Sequence, residues 1–186
     1  MDASTIDLRL AGYFPKHVTP PPAWLAGHPL RGIEFVCSVS RHVSANPVGW
    51  ADSTHNLLGL FNEPGGARLV VGPDDPPMRI FGYTVSTLRF VDGEPQPWDW
   101  PGDADPIPLP TDFRSLGYDA VHKYLDDILG FECSPLSCNS LAQEWPVNRY
   151  CLLDDLTTAI EAARRFSIEK PEPGMYYVAE VFAEPF

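Results

Sequence analysis

Twenty-one prolines run through this 186-residue chain. Each fixes φ and removes a backbone donor, so they limit the fold to short elements joined by extended connections. Pro15 and the run Pro20-Pro21-Pro22 predict an extended lead-in over residues 1–30 without a long element, in which Leu8, Leu10, Tyr13 and Phe14 supply packing contacts. Asn62 and Pro64 have the spacing of a helix start, with the asparagine as cap and the proline inside the first turn. The Gly65-Gly66 pair then weakens that helix, at about 1 kcal/mol per glycine relative to alanine.

Between the prolines, apolar periodicity sets the elements. Ile33, Phe35, Cys37 and Val39 alternate with polar neighbours, which predicts a strand over 33–39 with Cys37 facing inward. Leu57 to Phe61 reads as a short buried strand. Met78 to Val91 is a long strand whose apolar phase changes, so a bulge is expected near Ser86-Thr87. Asp112 to Gly117 reads as one helical turn. Tyr118 to His122, Phe131 to Cys133 and Asn148 to Leu153 read as strands. The clearest helix is 155–167, where Leu156, Ala159, Ile160, Ala163 and Phe166 form a core-facing stripe behind a cap at Asp154 or Asp155. A final strand over 175–182 is apolar at nearly every residue and therefore central. Strand 148–153, this helix and strand 175–182 would make a right-handed parallel crossover if they share a sheet. No internal repeat is visible. The expectation is one α+β domain, 1–186, with a mixed or mainly antiparallel sheet.

Residues 92–112 hold six acids, six prolines and no base, and are expected to form an acidic, semi-rigid loop. Trp98 and Trp100 are the anomaly there, because aromatics in such a loop must pack down on the domain or engage a partner. The whole chain carries a formal charge of −12. That argues against nucleic acid as a partner, since phosphate binding needs clustered Lys and Arg. No stretch of about 18 apolar residues supports a membrane span, and the N-terminus lacks the layout of a secretion signal. A cytoplasmic address follows as the expectation, with reduced thiols at Cys37, Cys133, Cys138 and Cys151.

Small polar groups are densest between Gly130 and Asp155. Glu132, Ser134, Ser137, Cys138, Asn139 and Arg149 fall among apolar residues there and predict a polar pocket around 132–149 for an unknown protein or small molecule. The Cys133–Cys138 spacing is compatible with zinc, but that loop contains Pro135 and no glycine, so structural thiols are expected and no metal. A cysteine nucleophile would need His122 or His55 as its base. Phosphate-loop, dinucleotide-binding, zinc-protease and nucleophile-elbow signatures are absent.

The segments Gly12-Tyr13-Phe14-Pro15-Lys16, Phe131 to Asn139 and Val147-Asn148-Arg149-Tyr150-Cys151 resemble those of small uncharacterised bacterial proteins, and that resemblance implies no activity. The order Arg41 or His42, then Phe61, then Glu132 is also similar to the plan of the ADP-ribosyltransferase-like fold. This second resemblance implies an NAD-consuming enzyme: the basic group on the pyrophosphate, Phe61 stacked on nicotinamide, and Glu132 stabilising an oxocarbenium-like transition state. Otherwise no cofactor is expected. The first expectation is a soluble binding or interaction domain using the 132–149 pocket, with Trp98 and Trp100 as contacts. The alternatives are the NAD-consuming transferase and an acidic inhibitor of a basic partner led by residues 92–112.

Overall fold

The apolar run from Met78 to Val91 forms the strand on which the sheet is built. The computed structural model describes residues 6–19, 35–36, 56, 58–75, 77–100, 105–123, 134–138, 140–171 and 174–185. In chain order its elements are β1 (Leu8–Thr19), β2 (Phe35–Val36), α1 (Pro64–Leu69), β3 (Met78–Val91), β4 (Glu94–Pro97), β5 (Arg114–Lys123), α2 (Pro135–Cys138), a 3-10 turn (Ser140–Gln143), α3 (Leu156–Glu169) and β6 (Met175–Ala183). The strands lie in the order β2-β1-β3-β6-β5, and β4 continues the β1 edge of β3. All the pairings between these strands are antiparallel. The chain is an α+β domain, and β6 lies inside the sheet as its apolar composition predicts.

Several local expectations change. Pro15 does not end β1, where it pairs with Ile80. The reason is directional: Tyr13 sends its N–H to Phe61 O, away from β3. By strand alternation the nitrogen of Pro15 faces that same side, so the missing donor costs no bond to β3. Asn62 does not cap α1. Glu63 occupies that position without a side-chain hydrogen bond. Asp112 to Gly117 is not helical, since β5 starts at Arg114. The parallel crossover does not form: Leu153 bridges Tyr118 antiparallel, and β5 pairs antiparallel with β6. Of the expected strand 33–39 only Phe35 and Val36 are described; Phe131 to Cys133 and the orientation of Cys37 lie outside the described residues.

The bulge in β3 is where the phase change put it. Pairing with β6 steps from Val85↔Ala179 to Arg89↔Tyr177. Ser86 fills the gap: its Oγ accepts from Val178 N at 3.1 Å and donates to Leu88 O at 2.6 Å. The helix is also as expected. Asp155 Oδ1 accepts from Thr158 N at 2.8 Å, and Lys170 closes the other end in a left-handed conformation, φ 51°. α3 covers Tyr176, Val178 and Ala120 with Ala159, Ala162, Ala163 and Phe166. The alternate β6 residues, Tyr177, Ala179 and Val181, belong to a second cluster with Phe81, Tyr83 and Val85.

An internal two-fold repeat, unexpected from the sequence, organises these elements. Each half runs strand, asparagine-closed loop, helix, strand. In the first half Asn56 Nδ2 donates to Ala11 O and Asn62 Oδ1, while its Oδ1 accepts from the N–H groups of Leu58 and Leu60. In the second, Asn148 Nδ2 donates to Leu116 O and Asp154 Oδ1, and its Oδ1 accepts from Tyr150 and Leu152. Tyr13 and Phe61 exchange two backbone bonds, as do Tyr118 and Leu153. The helix begins eight residues after the asparagine in both halves. Gly12 and Gly117, at φ 140° and 130°, occupy equivalent bulges where a Cβ would come within 2.7 Å of Phe61 O or Leu153 O. Gly12 pairs with Tyr83, Gly117 with Val181, and Tyr83 with Val181. The pseudo-dyad therefore passes between Tyr83 and Val181. Neither the expected strand at Leu57–Phe61 nor that at Asn148–Leu153 forms, because both segments are these loops, with Gly59 at φ 71° and Cys151 at φ 58°.

Candidate functional site

Two regions compete: the polar stretch 132–149 and the acidic segment 92–112. In the first, Ser134 and Asn148 turn inward, whereas Arg149 does not. Ser134 is fully buried, and its Oγ donates to Asp119 Oδ1 at 2.6 Å. Asp119 is itself fully buried. Cys151 lies in the same part of the core, where burial and the nearby Asp119 push its thiol up to about 12. A thiol held there is protonated at neutral pH and is a poor nucleophile. Asn148 is committed to its loop. Arg149 is exposed, with its guanidinium 5.2 Å from the Tyr150 ring. Ser137 and Cys138 belong to α2, while their side chains, like Glu132 and Asn139, lie outside the described residues.

Arg41 and His42 also lie outside them, so Phe61 is the described member of the transferase-like set. Its ring is fully buried and stacked on Phe14 at a centroid distance of 6.1 Å. A nicotinamide needs an open aromatic face, and this ring offers none. Among the described residues no group of three or more His, Cys, Asp or Glu is arranged to hold a metal ion.

The acidic segment has the opposite character: among its described residues, backbone and apolar groups are fastened while the acids project. It opens with the hairpin of β3 and β4. Asp92 and Gly93 both have positive φ, 48° and 84°, as the two central residues of a type I′ turn require. The end of α3 clamps that turn. Gly93 N donates to the buried Ser167 Oγ at 2.8 Å, Arg164 Nε donates to Gly93 O at 2.9 Å, and Lys170 pairs with Asp92 at 2.7 Å. Trp98 then packs edge-on against Tyr177 at 5.0 Å and donates its Nε1–H to Ser86 O at 2.8 Å. Trp100 lies against Trp98 at 5.4 Å. Both tryptophans are partly buried against the core.

Further along, Ile107 N donates to Asn62 O at 2.9 Å, and Tyr13 Oη donates to Ile107 O at 2.8 Å. Burial pushes the Tyr13 phenol up to about 12, so it keeps that proton. Leu109 fills the space above Gly82, where a Cβ would meet it at 2.6 Å. Phe113 packs edge-on against Tyr13 at 6.0 Å. Asp92, Glu94, Asp99, Asp105 and Asp112 are all exposed. Apart from Asp92, none of these has a salt-bridge partner among the described residues.

No family model, curated protein or solved structure matches this chain. Geometry alone therefore distinguishes the two regions. Sequence reasoning reached Trp98 and Trp100 but missed the hairpin, because Asp92-Gly93 is a hairpin signal only between alternating apolar runs, and the second run here is Glu94-Pro95-Gln96-Pro97. It also missed Asp119 and the two loop asparagines, which no local pattern marks.

Proposed function

We propose that this chain is a binding domain that engages a basic protein partner through the acidic segment 92–112. One observation carries the reading: the segment is fastened at its turn, at Trp98 and at Ile107, yet every described acid on it faces solvent. Fixing the loop before binding lowers the ordering cost of association. Apart from Asp92, the projecting like charges repel one another and have no salt-bridge partner among the described residues, but they steer a cationic partner and set its orientation.

In this reading the overall charge of −12 extends the attraction beyond the contact itself. The inward-turned groups around 134–148 become scaffold beneath a neighbouring surface. The test is affinity capture with the immobilised chain and with a quadruple variant, Glu94→Gln, Asp99→Asn, Asp105→Asn and Asp112→Asn. Basic proteins should be retained by the parent, released by raising salt from about 0.05 to 0.5 M, and lost from the variant. Retention of the same proteins by both chains would refute the proposal.

A further inference from the structure

A groove of about 830 Å³ opens between α3 and the start of β4. Its floor and walls include Phe90, Pro95, Ile160 and Ile168. Ile168 is 60 % exposed, which is unremarkable for an isolated surface residue; here it shares a concavity with three other apolar side chains. The volume is within the range of about 300–1,000 Å³ typical of ligand sites, which is ample for an apolar side chain and its neighbours. The walls are preset, because the three contacts from α3 to the Asp92-Gly93 turn hold the hairpin at a fixed distance from the helix.

The rim is charged unevenly. Glu94 stands on the hairpin side, and Glu161 and Glu169 on the helix side. Two arginines also line the groove: Arg165 holds Glu169 at 2.7 Å and Glu144 at 3.3 Å, and the Nε of Arg164 donates to Gly93 O. Three carboxylates and two guanidinium groups line the groove, and among the described residues Glu94 and Glu161 have no salt-bridge partner. Glu94 and Pro95 also belong to the acidic segment, so the groove continues the surface proposed above.

We infer that the groove seats an apolar side chain carried on a positively charged segment of a protein partner, and this rests on the acidic-surface reading. Phosphate-bearing ligands and anionic lipid meet the same negative rim and are disfavoured. The apolar seat would supply the close-packed anchor that exposed charges alone do not, since exposed ion pairs contribute only about 0–1 kcal/mol each.

The experiment is a methyl NMR titration with three synthetic peptides of equal length, alternating Lys-Leu, Lys-Ser and Glu-Leu. Ile107, 49 % exposed in the acidic segment, reports on that segment; Ile160 and Ile168 report on the groove. The Lys-Leu peptide should shift all three methyls, Lys-Ser only Ile107, and Glu-Leu none. Ile168→Glu, at an exposed site the fold tolerates, should weaken Lys-Leu binding about tenfold and leave Lys-Ser binding within twofold. Equal affinity for Lys-Leu and Lys-Ser, or shifts at Ile107 with Ile160 and Ile168 unmoved, would overturn the groove while leaving the acidic surface standing. Loss of every shift at low salt would overturn both.

Discussion

Truncating the two loop asparagines separately gives the sharpest test of how this fold is held. Asn56 and Asn148 make the same four hydrogen bonds, two as donor and two as acceptor, but differ in burial. Asn56 is 3 % exposed, and its partners include the fully buried Ala11 and the nearly buried Leu60. Asn148 is half-buried, and one of its acceptors is the exposed Asp154. A net hydrogen bond contributes about 1 kcal/mol, and a partner stranded away from water costs about 1–3 kcal/mol. Asn56→Ala should therefore cost about 4 kcal/mol. Asn148→Ala should cost about 2 kcal/mol, because of its partners only Leu152 is fully buried, while Leu116 and Tyr150 are half-buried and Asp154 is exposed. Urea unfolding followed by circular dichroism, with unchanged slopes, would measure both. The Asn56 variant should also loosen the acidic segment, because Asn62 bonds both Asn56 Nδ2 and Ile107 N. Equal losses for the two variants, or a loss below about 1 kcal/mol for Asn56→Ala, would refute the desolvation argument.

Other consequences follow from single contacts. Trp98→Phe removes the bond to Ser86 O together with ring contact and should cost about 2 kcal/mol; its amide exchange over 98–100 should accelerate, whereas unchanged exchange would show that Trp98 is no anchor. Cys151, with its thiol pushed up to about 12, should resist iodoacetamide at pH 8 in the folded chain and react once unfolded, as read by peptide mass spectrometry; alkylation of the native form would contradict its burial. Asp155→Ala should cost about 1 kcal/mol at neutral pH. The hydrogen bonds from Thr158 hold the Asp155 carboxyl below its ordinary value. Its stabilisation is therefore present above the unfolded value of about 3.9 and is lost as pH falls through the lower folded value. Parent and variant should converge in acid, and a gap that widens there would reverse the sign.

The readable parts of the sequence were those where local chemistry and tertiary packing agree. α3 combines an aspartate cap, a helical apolar stripe and a left-handed stop, so its limits shift by no more than two residues. The phase change in β3 is visible because a bulge moves side chains between faces. Pro15 misled because a proline's damage depends on which side of the strand its nitrogen faces, and that is fixed by Phe61, distant in sequence. Leu57 to Phe61 is apolar enough for a strand, yet Asn56 draws it into a turn. The repeat escaped notice for a related reason. Its signature is a hydrogen-bond pattern carried by few identical residues, Gly-Tyr at 12–13 and 117–118 and the two asparagines, and the connection from glycine to asparagine differs in length between halves. Cys151 holds a positive φ where the first half has Gly59, which conceals the match further. The density of polar residues around 132–149 was real, but density does not reveal direction: Ser134 and Asn148 point into the fold.

Hydrogen exchange of the chain alone and with a captured basic partner tests the central proposal most directly. Backbone protection should rise across residues 92–100 and 105–112 and along the groove face of α3, and should fall away at high salt. Protection confined to 134–150, with 92–112 exchanging as in the free chain, would contradict it and move the binding surface to the polar stretch.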